Sequence, residues 1–358
     1  MPIRVLIVDD SPTIREHLAR IVMSDPRLEV AGVAADGREA IDLAERLAPD
    51  VITMDLHMPR VNGVEATVQI MASSPRPIVV ISTSMDMNET ALGFRALAAG
   101  ALEILEKPQG LTADGYEKLR KRINDTLVLM AEVKVVKRWG GGGSSRQIAT
   151  RASGRKDRSP VEPRAIGICS STGGPPALHL ILSELDPGID VPVFVVQHMA
   201  VGFTPGLVSW LSNGSKLEVA IAEDGVVARR GHAYIAPDDR HLLLRDGGTM
   251  SLSDALPVRH HRPSGDWLFR SLAASYGTGA VGVILTGMGS DGCDGMREVH
   301  AAGGYVLAQD EASCAIFSMP KAVIDEGIAS EVLPLGEIPG RLNALLLSRK
   351  EPVGGKSA

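Results

Sequence analysis

Residues 3–10 read IRVLIVDD, a β-rich run that ends on two adjacent carboxylates. Short runs of the same character recur at Glu29–Ala34, Val51–Met54, Ile78–Ile81 and Leu102–Leu105, and an amphipathic stretch follows each. In the first of these stretches, Thr13–Ser24, residues Ile14, Leu18, Ile21 and Val22 fall on one helical face. Five strand-then-helix repeats predict a doubly wound parallel sheet, a fold whose chemistry gathers beyond the carboxyl ends of the strands. Strand one runs into Asp9-Asp10, strand three into Asp55, strand four into Ser82-Thr83 and strand five into Lys107-Pro108.

The rest of the chain sets the frame for this unit. At 358 residues, and with roughly 150 residues per domain, two or three domains are expected. The 44% hydrophobic and 22% charged content excludes disorder of the whole chain. Aromatics are only 3% against 38 Gly and 22 Pro, which disfavours sandwiches built on aromatic pairs and favours aliphatic α/β layers. No stretch reaches the roughly 18 apolar residues of a membrane span, and the first run ends on acids too early for a signal peptide. Cys169, Cys293 and Cys314 form no C-x-x-C pair and are odd in number, so reduced thiols in a cytoplasmic protein are expected.

Three carboxylates in one crevice repel one another, and an oxygen-only group without His or Cys suits a hard cation such as Mg²⁺. Taken singly, an Asp or Ser after a strand is most often a helix cap or turn residue. Taken in order, DD…D…[ST]…K-P over about 120 residues resembles the receiver domain of bacterial response regulators. The resemblance implies that Asp55 accepts a phosphoryl group, that Asp9 and Asp10 join Asp55 in holding Mg²⁺, and that Ser82 and Lys107 respond to it. Such an addition of nearly two negative charges acts as a switch. His57, in MDLHMP, occupies a variable position of the pattern and is given no role.

From Val133 to Arg164 no hydrophobic period survives. The segment holds nine Lys and Arg against Asp157 and Glu162, a net +7, so the remainder of a chain totalling −6 carries −13. It reads as a solvated, self-repelling tether; a basic stretch of this kind also suits an anionic surface, but Trp139 alone is there to stack on a base, so no nucleic-acid partner is expected. The expected domains are therefore 1–131, a linker at 132–163, a second domain at 164–350 and a disordered tail at 351–358.

Beyond the linker, Ala165–Ser170 reads as a strand and Thr172–Pro176 as a tight turn into a helix from about Ala177 to Leu185, with Ser171 at the corner. Backbone N–H groups at such a corner can bind an oxyanion, although a lone Ser there is commonly just a cap. Val191–Gln197 delivers His198, and Val281–Leu285 delivers TGMGSDG with Asp291. A Ser hydroxyl becomes nucleophilic when an imidazole takes its proton, and the imidazole needs a carboxylate on its other nitrogen. Ser171, His198 and Asp291 supply those three groups. His232, His241 and His260 read as wall or surface residues, and His261 as a pocket residue. The string Gly287-Met288-Gly289-Ser290-Asp291-Gly292 also matches a dinucleotide fingerprint, with Asp310 beyond it, but it sits far from the first βα turn of its domain.

The strings STGGP, QHMAVGFT, HAYIAPDDRH, HRPS, VILTGMGSDG and AQDEASC resemble those of the chemotaxis protein-glutamate methylesterases, the CheB family, which carries a receiver in front. The resemblance implies a Rossmann-like α/β catalytic domain with a parallel sheet. It makes Ser171 the nucleophile, His198 the base, Asp291 its orienting partner and the Met288 main chain an oxyanion donor, with Thr172 and His261 close by. Cys169-Ser170 stand where that family usually has Gly-Ala. The implied reaction is hydrolysis of glutamate γ-methyl esters on methyl-accepting chemoreceptors, and deamidation of receptor glutamines, with no metal in the catalytic domain. A chemotaxis histidine kinase is the implied phosphodonor, and phosphorylation relieves a receiver that covers the active site. A monomer is expected. Two other readings stay open on residues alone: a phosphorylation-controlled module that binds protein or nucleotide without turnover, and an esterase for another acyl substrate.

Overall fold

The computed structural model describes residues 1–82, 87–108, 113–133, 135 and 162–347. Thr83, Trp139, almost all of the expected linker and the expected tail lie outside the described residues. The chain divides into two compact units, Met1–Arg146 and Gln147–Ala358. Among the described residues no helix is long and apolar enough to cross a membrane.

In the first unit the elements run β1 (Ile3–Val8), α1 (Pro12–Met23), β2 (Leu28–Ala34), α2 (Gly37–Leu47), β3 (Val51–Met54), α3 (Gly63–Ser73), β4 (Ile78–Ser82), α4 (Met87–Ala99), β5 (Glu103–Glu106) and α5 (Ala113–Ala131). The α1 helix starts where Ser11 Oγ accepts the Ile14 N–H and Pro12 opens the first turn, and it buries Ile14, Leu18, Ile21 and Val22. The sheet is parallel throughout, in the order β2-β1-β3-β4-β5. Parallel pairing needs a crossover after each strand, which is why helices cover the sheet and Val5–Val8 and Val51–Met54 are buried. Because β1 and β3 are neighbours, Asp9 and Asp55 meet beyond their carboxyl ends, and the Asp55 N–H donates to Val8 O at 2.9 Å.

The second unit comprises β6 (Ala165–Ser170), α6 (Gly174–Glu184), β7 (Val193–Gln197), α7 (Thr204–Gly214), β8 (Glu218–Ile221), β9 (His232–Ile235), β10 (His241–Arg245), β11 (Thr249–Ser253), α8 (Gly265–Tyr276), β12 (Ala280–Ile284), α9 (Cys293–Ala301), β13 (Tyr305–Gln309), α10 (Met319–Asp325), β14 (Glu331–Leu333) and α11 (Ile338–Leu347). Seven parallel strands order as β14-β13-β12-β6-β7-β9-β8, and β10 and β11 form a separate antiparallel hairpin. From β6 the chain first builds outward through β7, then returns to place β12 on the other flank of β6. That reversal opens a crevice at the carboxyl ends of β6 and β12, where ligands of such sheets lodge. The dinucleotide-like glycine string follows β12, not the opening strand.

Close approach of α8 to the sheet explains part of the glycine content. The Phe269 ring packs where added Cβ atoms on Gly167, Gly282 and Gly292 would come 3.2, 3.6 and 3.1 Å from it, and one on Gly295 would come 2.7 Å from Phe269 Cβ. Phe269 is completely buried, and its truncation to Ala would cost about 3–5 kcal/mol.

Several boundaries move by one residue, and two move by two residues or more. The α6 helix begins at Gly174, before Ala177, because Pro175 and Pro176 occupy a first turn whose N–H groups have no intrahelical acceptor. The β7 strand begins at Val193, after Val191, since Pro192 has no N–H to give the ladder, although its carbonyl still accepts from Ile166.

Candidate active site and carboxylate pocket

In the first unit, Asp9 and Asp55 are buried, Asp10 is exposed, and one oxygen from each lies within 4.8 Å of the others. Lys107 follows β5 and reaches across to place its Nζ 3.0 Å from Asp9 Oδ2 and 2.8 Å from Asp55 Oδ1. Asp9 Oδ1 is held by the Ser11 N–H at 2.9 Å, and Asp55 Oδ1 by the Leu56 N–H at 2.8 Å. Burial pushes the Asp55 carboxyl above the usual carboxylate range; Lys107 pulls it down, and the Asp9 charge adds to the rise. Burial works against the charged Lys107, but its ion pairs with Asp55 and Asp9 outweigh that and raise it. Ser82 closes β4, is buried, and its carbonyl accepts the Lys107 N–H at 2.9 Å. All five residues singled out from the sequence thus end strands at one rim of the sheet. An oxygen-only set of three carboxylates beside a single ammonium fits a hard divalent cation.

In the second unit, Ser171 and His198 follow the paired residues Ser170 and Gln197 at the ends of neighbouring strands. The Ser171 N–H donates to Thr286 O at 3.1 Å, and the His198 N–H to Ser170 O at 2.9 Å. His198 Nε2 stands 2.8 Å from Asp291 Oδ2, and its other ring nitrogen, Nδ1, is buried without a hydrogen-bond partner among the described residues. The Asp291 contact therefore places the proton of a neutral ring on Nε2 and leaves the Nδ1 lone pair unengaged by the described residues. The His261 ring stacks on His198 with centroids 3.9 Å apart and planes within 8°. Thr172 is buried and its carbonyl accepts from Thr286 Oγ1 at 3.0 Å. Met288 lies in the loop after β12 with its side chain exposed, and among the described residues no acceptor engages its N–H.

The surroundings of Asp291 went unread in the sequence. Ser264 Oγ donates to Oδ1 at 2.6 Å and the Gly265 N–H to Oδ2 at 2.6 Å, so the carboxylate sits at the N-terminus of α8, where backbone donors converge. Burial opposes ionisation of Asp291, but the bonds from His198, Ser264 and Gly265 prevail and hold its carboxyl at about 2. The available signal was Ser264-Gly265-Asp266, a capping pattern directly after HRP. Cys169 Sγ lies within 4.8 Å of ligand atoms of His198 and Asp291. Burial, then the Asp291 charge, pushes that thiol well up, so it stays neutral beneath a carboxylate whose oxygens already accept protein donors. Ser170 is completely buried with its hydroxyl donating to Gln197 Oε1 at 2.6 Å, which separates it from the crevice occupied by Ser171.

Comparison with known proteins places both units in known families. Residues 166–342 match the family model for the CheB methylesterase, and residues 5–122 that for the response regulator receiver domain. The protein-glutamate methylesterase/protein-glutamine glutaminase 4 of Myxococcus xanthus is 46% identical over 343 residues, covering 96% of this chain and 97% of its own length. Number 2 of Anaeromyxobacter dehalogenans is 48% identical, with 96% and 97% covered. Among solved structures, the Thermotoga maritima CheB methylesterase catalytic domain is similar at 41% identity and a TM-score of 0.50, covering 52% of this chain and 100% of that domain. With matches in both units and relatives covered almost end to end, the chain belongs to the CheB methylesterase family, receiver domain included.

Proposed function

We propose that Ser171, His198 and Asp291 form a catalytic triad that hydrolyses glutamate γ-methyl esters on methyl-accepting chemoreceptors, under control of phosphorylation at Asp55. The observation that carries the reading is the His198–Asp291 contact, which leaves His198 Nδ1 as the unengaged nitrogen in the crevice. Ser171 Oγ attacks the ester carbonyl while His198 Nδ1 takes its proton, and Asp291 stabilises the imidazolium. Main-chain N–H groups, that of Met288 among them, receive the oxyanion, with Thr172 beside it. Collapse expels methanol, which carries away the proton from His198, and leaves glutamyl bound to Ser171 through an ester. Water then attacks, gives its proton to His198, and glutamate departs as Ser171 recovers its hydrogen. A γ-amide passes through the same acyl intermediate with ammonia leaving, so receptor glutamines are substrates of the same site.

In the receiver, Asp9, Asp10 and Asp55 would hold Mg²⁺, which when bound supplies positive charge to phosphoryl oxygens. The Asp55 carboxylate takes the phosphoryl group from a chemotaxis histidine kinase, Lys107 pairs with the new charge, and Ser82 turns toward it. We assign residues 1–131 to the receiver, 132–163 to the linker and 164–350 to catalysis, in a cytoplasmic protein that acts as a monomer without a nucleic-acid partner. A binding module without turnover is not favoured, because relatives matched over nearly the whole chain are named as esterases. Methanol released from methylated receptor membranes tests the reading: Ser171→Ala should abolish release, and a variant that still releases methanol would refute it.

A further inference from the structure

Gln197 closes β7 opposite Ser170, the last residue of β6. Its amide is buried and every polar atom is engaged: Oε1 accepts from Ser170 Oγ at 2.6 Å, while Nε2 donates to Ser171 O at 2.9 Å and to His198 O at 2.8 Å. These two carbonyls belong to the residues read as nucleophile and base. A carbonyl held in place fixes the ψ angle of its own residue, and hence where the chain carries the next groups of the crevice. The amide orientation follows from the same set of bonds. A flipped amide would turn Oε1 toward two carbonyl oxygens, so the Ser170 hydroxyl and the two carbonyls select one arrangement. Space for it depends on Gly174, where an added Cβ would overlap Gln197 Oε1 and come 2.8 Å from Ser170 Oγ.

We propose that Gln197 is a positioning residue for the esterase reaction: one buried side-chain amide, through its two N–H donors, sets the placement of Ser171 against His198. The proposal rests on Ser171 and His198 being nucleophile and base. No other uncharged side chain of this length offers two donors and an acceptor in one plane. An ionised Glu in its place would face two carbonyl oxygens with no proton to give, whereas a protonated Glu regains one donor. Ser170 itself is dispensable to a first approximation, since both donors of Gln197 persist without it.

The test compares full-length wild type with Gln197→Met, Gln197→Glu, Ser170→Ala and Ser171→Ala. Two rates are read, referred to the folded fraction: labelling of Ser171 by a fluorophosphonate between pH 5 and 9, and methanol release from methylated receptor membranes. For Gln197→Met and Gln197→Glu at pH 8, labelling and kcat should fall by about thirtyfold or more, the scale of a misplaced reacting group. KM should stay within about twofold, since substrate contacts are untouched. The ratio of the Gln197→Glu rate to the wild-type rate should rise as pH falls, and Ser170→Ala should stay within about threefold of wild type. Gln197→Glu keeps the test open if Gln197→Met misfolds. Wild-type kcat in either folded variant, or a raised KM with kcat unchanged, overturns the proposal. A wild type that fails to label at Ser171 overturns the nucleophile reading itself, and this proposal with it.

Discussion

His198 Nε2 and Asp291 Oδ2 lie 2.8 Å apart, and the same carboxylate receives Ser264 Oγ and the Gly265 N–H at 2.6 Å each. The carboxylate is fixed by the start of α8, and the imidazole is fixed by the carboxylate. Asp291→Asn should therefore lower kcat by about 10³-fold or more, because an amide can present the wrong group to Nε2 and cannot balance an imidazolium. Methanol release with receptor membranes measures it.

The same residue makes a pH prediction. Its folded carboxyl, at about 2, lies below the ordinary carboxylate value, so it contributes stability above pH 4 that disappears as pH falls through 2. The shift corresponds to about 2 kcal/mol. Denaturant unfolding of the catalytic unit should show Asp291→Asn losing that amount at pH 6, with the gap to wild type narrowing steadily toward pH 2. A gap independent of pH would contradict the assignment.

Gly287 is placed where a Cβ would lie 2.7 Å from Ser171 Cβ and 3.0 Å from its N. Gly287→Ala should push the Ser171 corner and lower kcat by about 10²-fold, since displacement of a reacting group by an ångström costs that much. Overpacking should also remove about 1–3 kcal/mol of stability. Steady-state kinetics together with a melting curve separate the two effects.

The His198–His261 stack, with centroids 3.9 Å apart, restrains the ring proposed to carry the proton. His261→Ala frees that ring and should lower kcat about tenfold. His261→Phe keeps a flat partner and should lower it less. Equal loss in both variants would show that the imidazole nitrogens of His261, not its plane, matter to turnover.

In the receiver, Lys107 is the ammonium between Asp9 and Asp55. Lys107→Met leaves two buried carboxylates facing each other and should cost about 3 kcal/mol. Added Mg²⁺ should raise the unfolding temperature of that variant more than that of wild type, because the cation then replaces the missing charge. Thermal unfolding with and without Mg²⁺ checks both statements.

Much of this was legible in the chain itself, for stated reasons. Strand ends in both units are marked by polar or charged residues at the close of aliphatic runs, so Asp9, Asp55, Lys107, Ser171 and His198 could be placed at the rim of a sheet from the sequence alone. Boundaries slipped where proline has two uses: Pro175-Pro176 read as a turn but open α6, and Pro192 read as strand but precedes it. Ser264 and Gly265 were missed because their partner, Asp291, is 26 or 27 residues away and a helix cap reveals only its local role. Gln197 was missed for a similar reason, since a Gln at a strand end carries no signal until its three partners converge in space.

The central claim is that a Ser171 esterase works under control of Asp55. It is tested most directly by methanol release from methylated chemoreceptor membranes, measured with and without a small phosphodonor plus Mg²⁺, for wild type, Ser171→Ala and Asp55→Ala. The account predicts release by wild type that rises with the phosphodonor, none from Ser171→Ala, and basal release from Asp55→Ala that ignores the phosphodonor. No release from folded wild type under either condition, or equal stimulation of Asp55→Ala, would contradict it.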